Sequence, residues 1–189
     1  HRDLHSFPTR RSSDLLVLRP YVIEDADAMF RNWANDPQVT KYLSWEPHKD
    51  VEETKQILEG WIKSYESKDF YTWAIARKED AGNVIGSISV PQLNQKAGRV
   101  TVGYCLGRNW WGHKIMKEAF AELIRFFFEV EGANRVEALH DTRNVNSGKV
   151  MAACGLKKEG TLRRYGWNNQ GICDECIYGM VASDYFEGK

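Results

Sequence analysis

The amino-acid sequence predicts a single mixed α/β domain. Segments in which apolar and polar residues alternate, as in strands, are interleaved with segments in which apolar residues recur every three to four positions, as in helices. Apolar residues make up 42% of the 189 residues, which is enough to build a sizeable core. The segments follow the order β-α-α-β-β-β-α-β-α-β-β, and we find neither an internal repeat nor a linker between them.

The first half of this pattern consists of a strand, two helices and a hairpin. Residues 16–20 (LVLRP) predict a short strand that stops at Pro20, which has no N–H to donate. Residues 24–36 carry acidic side chains in their first turn and predict a helix. Residues 50–67 predict a second, amphipathic helix with Asp50 as its N-cap. Two alternating strands, FYTWAIARK and VIGSISVPQL, then flank the turn EDAGN.

The second half is built around the longest predicted helix. Its apolar stripe recurs at helical spacing through Met116, Phe120, Leu123 and Phe127. The elements are, in order, a strand (98–107), this helix (112–132), a strand (134–141), a short helix closed by a glycine (144–155) and a final pair of strands (156–167 and 172–183).

Composition excludes several classes of function. Lys and Arg number 26 and Asp and Glu also number 26, whereas a general nucleic-acid binder is usually basic. No stretch approaches the roughly 20 apolar residues of a membrane span.

The four cysteines are sparse and follow no secretory signal, so we expect a reducing, cytoplasmic location. The pair Cys173 and Cys176 lacks a second pair or nearby histidines, so we expect no metal site.

The first fifteen residues, HRDLHSFPTRRSSDL, differ from the rest of the chain. A basic arm would need more charges in an unbroken run, and a transit peptide would need an amphipathic helix that Pro8 forbids. The string resembles, residue by residue, the translation of a widely used short-read sequencing adapter. We therefore expect residues 1–15 to be a non-native leader without regular structure up to about residue 14, and the domain to span residues 16–189.

The most informative stretch is VGYCLGRNWWGHKIMKEAF, in which a strand is followed by a turn and a long helix. The first amide groups of such a helix have no partners within it, and they can converge on an anion. His113, Lys114 and Lys117 add positive charge or hydrogen-bond donors nearby. An ordinary strand–turn–helix junction would explain the same residues equally well.

Together with LVLRP, NRVEALHD and NVNSGKVMAACGLKKEGTLR, this stretch resembles the GNAT superfamily of acyl-CoA-dependent N-acetyltransferases. The branch it most resembles contains the ribosomal-protein N-terminal acetyltransferases, and the resemblance covers the chain from Leu16 onward. It implies a mixed, mostly antiparallel central sheet of six to seven strands with about four helices packed on both faces. It also implies that the sheet is splayed between its fourth and fifth strands.

The resemblance implies acetyl-CoA as co-substrate and no metal. The strand before the turn would lie along the pantetheine arm, the turn and the first turn of the helix would hold the pyrophosphate, and the short helix would complete the site. The implied cofactor-binding residues are Tyr104, Cys105, Leu106, Trp111, Gly112, His113, Lys114, Ile115, Met116, Asn144, Ser147 and Lys149.

The sequence departs from the family pattern at four positions. In the pyrophosphate turn, Asn109 replaces Gln or Arg, and Lys114 replaces a small residue whose side chain leaves room for phosphate. The tyrosine that many members use to protonate the leaving thiolate is Met151 here. A glutamate that often serves as the base is Thr101 here.

The catalytic candidates follow from these departures. Ser147 becomes the best remaining proton donor or orienting group near the sulfur. Glu137 and Asp141 are candidates for the base, although Asp141 could equally cap the following loop, and proton removal through water is an alternative. For the acceptor pocket we name Trp45, Glu46 and His48, between the first two helices, and Tyr165 in the last hairpin.

The leading hypothesis is an acetyl-CoA-dependent N-acetyltransferase that transfers acetyl to a primary amine by direct attack in a ternary complex. The amine could be a protein N-terminal α-amine. A small-molecule amine acetyltransferase and a catalytically weak acyl-CoA-binding module are the alternatives. We expect a monomer or homodimer that binds neither nucleic acid nor a membrane.

Overall fold

A single sheet of eight strands runs through the computed structural model, which describes residues 11–189. In chain order the strands are Arg11–Ser12 (β1), Leu16–Arg19 (β2), Thr72–Arg77 (β3), Asp80–Asn94 (β4), Arg99–Leu106 (β5), Arg135–Asp141 (β6), Lys157–Asn168 (β7) and Gly171–Val181 (β8). Their order in the sheet is β1-β2-β3-β4-β5-β6-β8-β7, and all neighbours are antiparallel except β5 and β6. The predicted mixed, mostly antiparallel sheet is confirmed.

Within residues 11–189, six α-helices accompany the sheet: Ala26–Met29 (α1), Pro37–Thr40 (α2), Val51–Ser64 (α3), Ile115–Glu129 (α4), Val145–Ala153 (α5) and Ala182–Glu187 (α6). The prediction of about four helices missed α2 and α6, both of which are short. Helix α2 starts anew because Pro37 occupies its first position and the Asp36 carboxylate accepts from the Gln38 amide at 2.9 Å. The helix predicted over residues 24–36 is α1 followed by a π-helical turn, Phe30–Ala34.

Strand β1, which brings the number of strands to eight, was also not predicted. It lies within the expected leader. Residues 1–10 of that leader lie outside the described residues. Arg11–Ser12 pair with β2, so the expectation that this part lacks regular structure is wrong. The edge of β2 presents main-chain donors and acceptors that any extended segment can pair with, whatever its sequence. The Arg11 guanidinium also lies 3.8 Å from the Phe126 ring centre.

The core lies in two layers, one on each face of the sheet. Helices α4 and α5 cover one face, where Trp73, Phe120 and Phe127 are buried in the larger cluster. The helical segments from α1 to α3 cover the other face, where Trp33 and Leu58 are fully buried. Successive strand residues point to opposite faces, which is why Trp73 and its neighbour in β3 belong to different layers.

The sheet opens between β5 and β6. Their parallel pairing covers only three residue pairs and ends at Thr101 and Glu137, although β5 continues to Leu106. On its other side, β5 remains paired with β4 as far as Leu106, beyond a one-residue bulge in β4 at Val90 and Pro91. The fourth and fifth predicted strands are β5 and β6, so the predicted splay is present. It leaves one edge of β5 without a strand partner beyond Thr101.

Candidate functional site

A cleft of about 510 Å³ is formed around the unpaired end of β5. Five parts of the fold form its walls: α2 with the residues that follow it, the end of β5, the turn after β5, the start of α4 and most of α5. The lining residues are Val39, Tyr42, Leu43, Tyr104, Cys105, Leu106, Trp110, Trp111, Gly112, Lys114, Ile115, Met116, Lys117, Asn144, Asn146, Ser147, Lys149, Val150 and Ala153.

The start of α4 has an unusual backbone. Lys114, the N-cap, is in the left-handed region with φ of 61°, and Gly112 has φ of 80°. Within residues 11–189, no side chain caps this helix, so its first amide groups are directed toward the cleft without a capping acceptor. A left-handed residue followed by helical ones can form a concave anion-binding backbone. The left-handed conformation also explains why the family pattern has a small residue at the position of Lys114.

Three contacts fix the turn that leads into α4. The Trp111 indole donates to the Leu106 carbonyl at 2.8 Å, across the turn from β5. Arg108 pairs with Asp36 at 3.0 Å, which ties the turn to the N-cap of α2. At Gly107, a Cβ would lie 2.7 Å from the Asn32 carbonyl oxygen, so only glycine allows this close approach. The turn is thus held against both the sheet and the helices on the opposite face.

The end of β5 contributes Tyr104 and Cys105 to the cleft. Burial raises the pKa of the Cys105 thiol to about 12, so this group is a neutral thiol at physiological pH. Burial also raises the pKa of Tyr104 above its ordinary value. Its hydroxyl lies 3.0 Å from both the carbonyl oxygen and the Oγ of Ser147, and its ring packs on Phe120.

The start of α5 faces Tyr104 across the cleft. Asn144 occupies the N-cap position, but its side chain makes no capping hydrogen bond. The Asn144 side chain therefore does not cap α5, and its amide group remains available to a ligand in the cleft. Ser147 and Lys149 lie further along the same helix, and both line the cleft. Met151, at the position of the family tyrosine, is 1% exposed and belongs to the core.

The charged groups that line the cleft are all basic. Lys114, Lys117 and Lys149 contribute ammonium groups, and no aspartate or glutamate is among the lining residues. With the uncapped start of α4, this arrangement favours a ligand that carries several negative charges.

The two candidate bases lie outside the cleft lining. Glu137 accepts from Thr101 Oγ1 at 2.9 Å and pairs with Arg135 at 2.7 Å, so it stabilises the last paired position of β5 and β6. Asp141 pairs with Arg143 at 2.6 Å and accepts from the Asn168 side chain at 2.8 Å. The Arg143 guanidinium holds the pKa of Asp141 well below its usual range, which makes this carboxylate a weak base.

The four residues predicted for the acceptor pocket also lie outside the cleft lining. His48 is buried, and its Nδ1 lies 2.7 Å from Thr54 Oγ1. Its ring packs on Trp45, and burial lowers its pKa. Glu46 is exposed, and so is Tyr165 at 62%.

The wall of the cleft that follows α2 is formed by Val39, Tyr42 and Leu43. Asn169, at the tip of the β7–β8 hairpin, holds this segment by donating its side-chain amide to the carbonyls of Thr40 and Trp45, each at 2.8 Å. The sequence alone contains no signal for this contact, because the two segments are more than 120 residues apart.

Of the predicted cofactor-binding residues, all except His113 line the cleft. Lys117, expected from the sequence only to add positive charge near the start of the helix, also lines the cleft, and so do Val150 and Ala153, to which the sequence assigned no role. Helical spacing was the available signal, since Lys117 follows Lys114 by three residues and Val150 follows Ser147 by three.

The family described as "Acetyltransferase (GNAT) domain" matches residues 16–157. The chain belongs to the GNAT acetyltransferase family. It is therefore an acyltransferase, as the sequence predicted.

Curated GNAT relatives align over nearly the whole chain. An uncharacterized N-acetyltransferase, p20, from Bacillus licheniformis is 31% identical over 173 residues, which cover 92% of this chain and 96% of that protein. The alanine N-acetyltransferase of ribosomal protein uS5 from Escherichia coli is 24% identical over 187 residues, which cover 95% of this chain and 94% of that protein.

Solved GNAT structures share the fold. The ribosomal-protein-S5-alanine acetyltransferase from Vibrio fischeri superposes with a TM-score of 0.80 at 22% identity, covering 94% of this chain and 98% of that one. A microcin C7 self-immunity acetyltransferase, in complex with acetyl-CoA and AMP, superposes with a TM-score of 0.79 at 21% identity, covering 89% of this chain and 93% of that one.

Two further features are absent from the part of the chain that the structure describes. No helix there combines the length and apolar character that crossing a membrane requires. No group of three or more His, Cys, Asp or Glu side chains there is arranged to hold a metal ion. The Sγ of Cys173 lies 3.5 Å from Nδ2 of Asn168, and the Sγ of Cys176 lies 3.5 Å from Oγ1 of Thr161.

The left-handed Lys114 predicts a stability change. Lys114→Gly should raise the free energy of unfolding by about 1 kcal/mol, because glycine adopts this conformation without the Cβ clash. Lys114→Ala removes the same ammonium group but keeps Cβ, so it should bring no gain. Urea denaturation of the wild-type protein and the two variants measures the change in the free energy of unfolding. Equal changes in the two variants would show that the left-handed backbone of Lys114 is not strained.

The buried side chain of Asp141 predicts a pH-dependent stability. Folding lowers the pKa of Asp141. Its contribution to the free energy of unfolding is therefore complete above the pKa of the unfolded state, about 3.9, and is lost as the pH falls through the lower pKa of the folded state. Asp141→Asn should cost about 2 kcal/mol at pH 7 and progressively less below pH 4. Denaturant midpoints between pH 2.5 and 7 measure this, with the exposed Asp80→Asn as control. A cost that is the same at every pH would contradict the assignment.

Proposed function

We propose that the protein is an acetyl-CoA-dependent N-acetyltransferase that acetylates a primary amine by direct attack in a ternary complex. The observation that carries the proposal is the cleft beside β5, where an uncapped helix start, three lysines and an unpaired strand edge lie side by side. The activity would reside in residues 16–189, with residues 1–15 as a non-native leader.

The cleft matches the chemistry of acetyl-CoA part by part. Backbone amides at the start of α4 and the ammonium groups of Lys114, Lys117 and Lys149 suit a pyrophosphate. The free edge of β5 at Tyr104–Leu106 offers main-chain groups to the amides of a pantetheine arm, much as an added strand would. The microcin C7 self-immunity acetyltransferase, which has the same fold, is in complex with acetyl-CoA, and this supports acetyl-CoA as the ligand.

Direct transfer is favoured over an acylated enzyme. Cys105 is the cysteine that lines the cleft, and its thiol is held neutral by burial. A neutral thiol is a poor nucleophile, because the thiolate is the reactive form. The amine nitrogen would therefore attack the thioester carbon itself, forming the C–N bond as the C–S bond breaks.

The acceptor that fits best is a protein N-terminal α-amine. An α-amine has a pKa of about 7.7–8.0, whereas a lysine amine has a pKa of about 10.4. The α-amine is thus partly neutral at pH 7 and needs no strong base, which agrees with a cleft that no carboxylate lines. The uS5 alanine N-acetyltransferase, a relative over 95% of the chain, supports the same class of acceptor.

A thiol-release assay with acetyl-CoA tests the proposal. Peptides with a free N-terminal alanine or serine should release CoA, and the rate at low peptide concentration should rise with pH to half its maximum near pH 8 and level off about one unit higher, as the α-amine loses its proton. The same peptides with a blocked N-terminus and an internal lysine are the matched controls, and polyamines and amino acids represent small amines.

The outcomes separate the alternatives. Turnover of small amines without peptides would contradict the proposed acceptor. Acetyl-CoA binding without turnover of any amine would indicate a binding module. If acetyl-CoA neither binds nor stabilises the protein, the proposed function as a whole is wrong.

A further inference from the structure

The hydroxyl of Tyr104 is placed between two acceptors that belong to the same residue. It lies 3.0 Å from the main-chain oxygen of Ser147 and 3.0 Å from its Oγ. Tyr104 is on β5 and Ser147 is on α5, so these contacts bridge the two walls of the cleft.

A phenol has one proton, so the two contacts define two alternative hydrogen-bond patterns. In the first, Tyr104 donates to the Ser147 carbonyl, and Ser147 Oγ donates to Tyr104. In the second, Tyr104 donates to Ser147 Oγ, and the Ser147 proton is free to turn into the cleft. The second pattern alone lets Ser147 donate to a ligand.

The second pattern costs little within the protein. The Ser147 carbonyl is inside α5, where it also accepts the regular helical hydrogen bond from the amide four residues later. It therefore keeps a partner when Tyr104 turns away. The Tyr104 ring is held by Phe120, with ring centres 5.5 Å apart, so the hydroxyl rotates while the oxygen stays in place.

Tyr104 keeps its proton throughout. Burial raises the pKa of the phenol well above neutral pH, so the group acts through hydrogen bonds and is not itself the acid. A donor to Ser147 Oγ polarises that hydroxyl and makes it a stronger donor in turn.

We propose that Tyr104 is a positioning residue that turns the Ser147 hydroxyl into the cleft, toward the sulfur of acetyl-CoA. This inference rests on the proposed function. As the C–N bond forms and the C–S bond breaks, the sulfur keeps the electron pair. Ser147 Oγ–H donates a hydrogen bond to that developing charge. The amine loses its proton to water, and the thiolate takes one from water. Met151, which stands at the position of the family tyrosine, is buried and has no hydroxyl to offer, so the donor near the sulfur is Ser147.

The test compares CoA with desulfo-CoA, which lacks only the sulfur, and measures affinity by calorimetry across the pH range in which the thiol ionises. Ultraviolet absorption of the bound thiolate gives the pKa of the bound thiol. The variants are Tyr104→Phe, Ser147→Ala and the double variant. Tyr65→Phe is the matched control, because it removes a buried tyrosine hydroxyl that donates to the Thr72 carbonyl at 2.8 Å away from the cleft.

At high pH, the wild-type protein should bind CoA about fivefold more tightly than Tyr104→Phe does, which is the worth of one hydrogen bond, with a lower pKa for the bound thiol. Affinity for desulfo-CoA should be unchanged in every variant, which also shows that each variant is folded. Ser147→Ala should lose the same preference, and adding Tyr104→Phe to it should change nothing further.

Three results would overturn the inference. Tyr104→Phe could behave as Tyr65→Phe does, it could lose desulfo-CoA and CoA affinity equally, or it could act additively with Ser147→Ala. Each would leave the proposed function intact, provided that the wild-type protein binds CoA. Failure of the wild-type protein to bind either compound would instead contradict the proposed function.

Discussion

The site depends on the point at which β5 and β6 stop pairing. Thr101 and Glu137 form the last pair, and a hydrogen bond of 2.9 Å joins their side chains. Arg135 pairs with the same glutamate at 2.7 Å, so this end of the junction is tied by charged groups. Beyond it, β5 has main-chain groups with no strand partner. Unpaired main-chain groups in a partly buried setting need other partners, and a ligand can supply them.

The elements around this opening are held independently of any ligand. The turn after β5 is fixed by Trp111 and Arg108, and the segment after α2 is fixed by Asn169 from a distant hairpin. The cleft is therefore preformed, which lowers the ordering cost of binding. Among the residues that line the cleft, Lys114 is the non-glycine residue with a left-handed backbone, which shapes the start of α4.

The sequence predicts those parts of the site that depend on local structure. Tyr104 and Gly112 were assigned because a strand, a turn and a helix start follow one another directly, and such neighbours stay together in the fold. The wall formed by Val39, Tyr42 and Leu43 was not predicted, because the segment after α2 is held by Asn169 from a distant hairpin. The hydrogen bond from Tyr104 to Ser147 likewise joins residues 43 positions apart, and helical or strand spacing cannot reveal it. Helix α6 and strand β1 were missed because both are too short to show periodicity.

The central claim is that acetyl-CoA binds in the opening between β5 and α5. Hydrogen–deuterium exchange with and without acetyl-CoA tests it most directly, because bound main-chain groups exchange more slowly. Slower exchange is expected in residues 104–106, in residues 111–117 and at the start of α5. Unchanged exchange in these three segments at saturating acetyl-CoA, or slowing confined to segments that do not line the cleft, would contradict the claim.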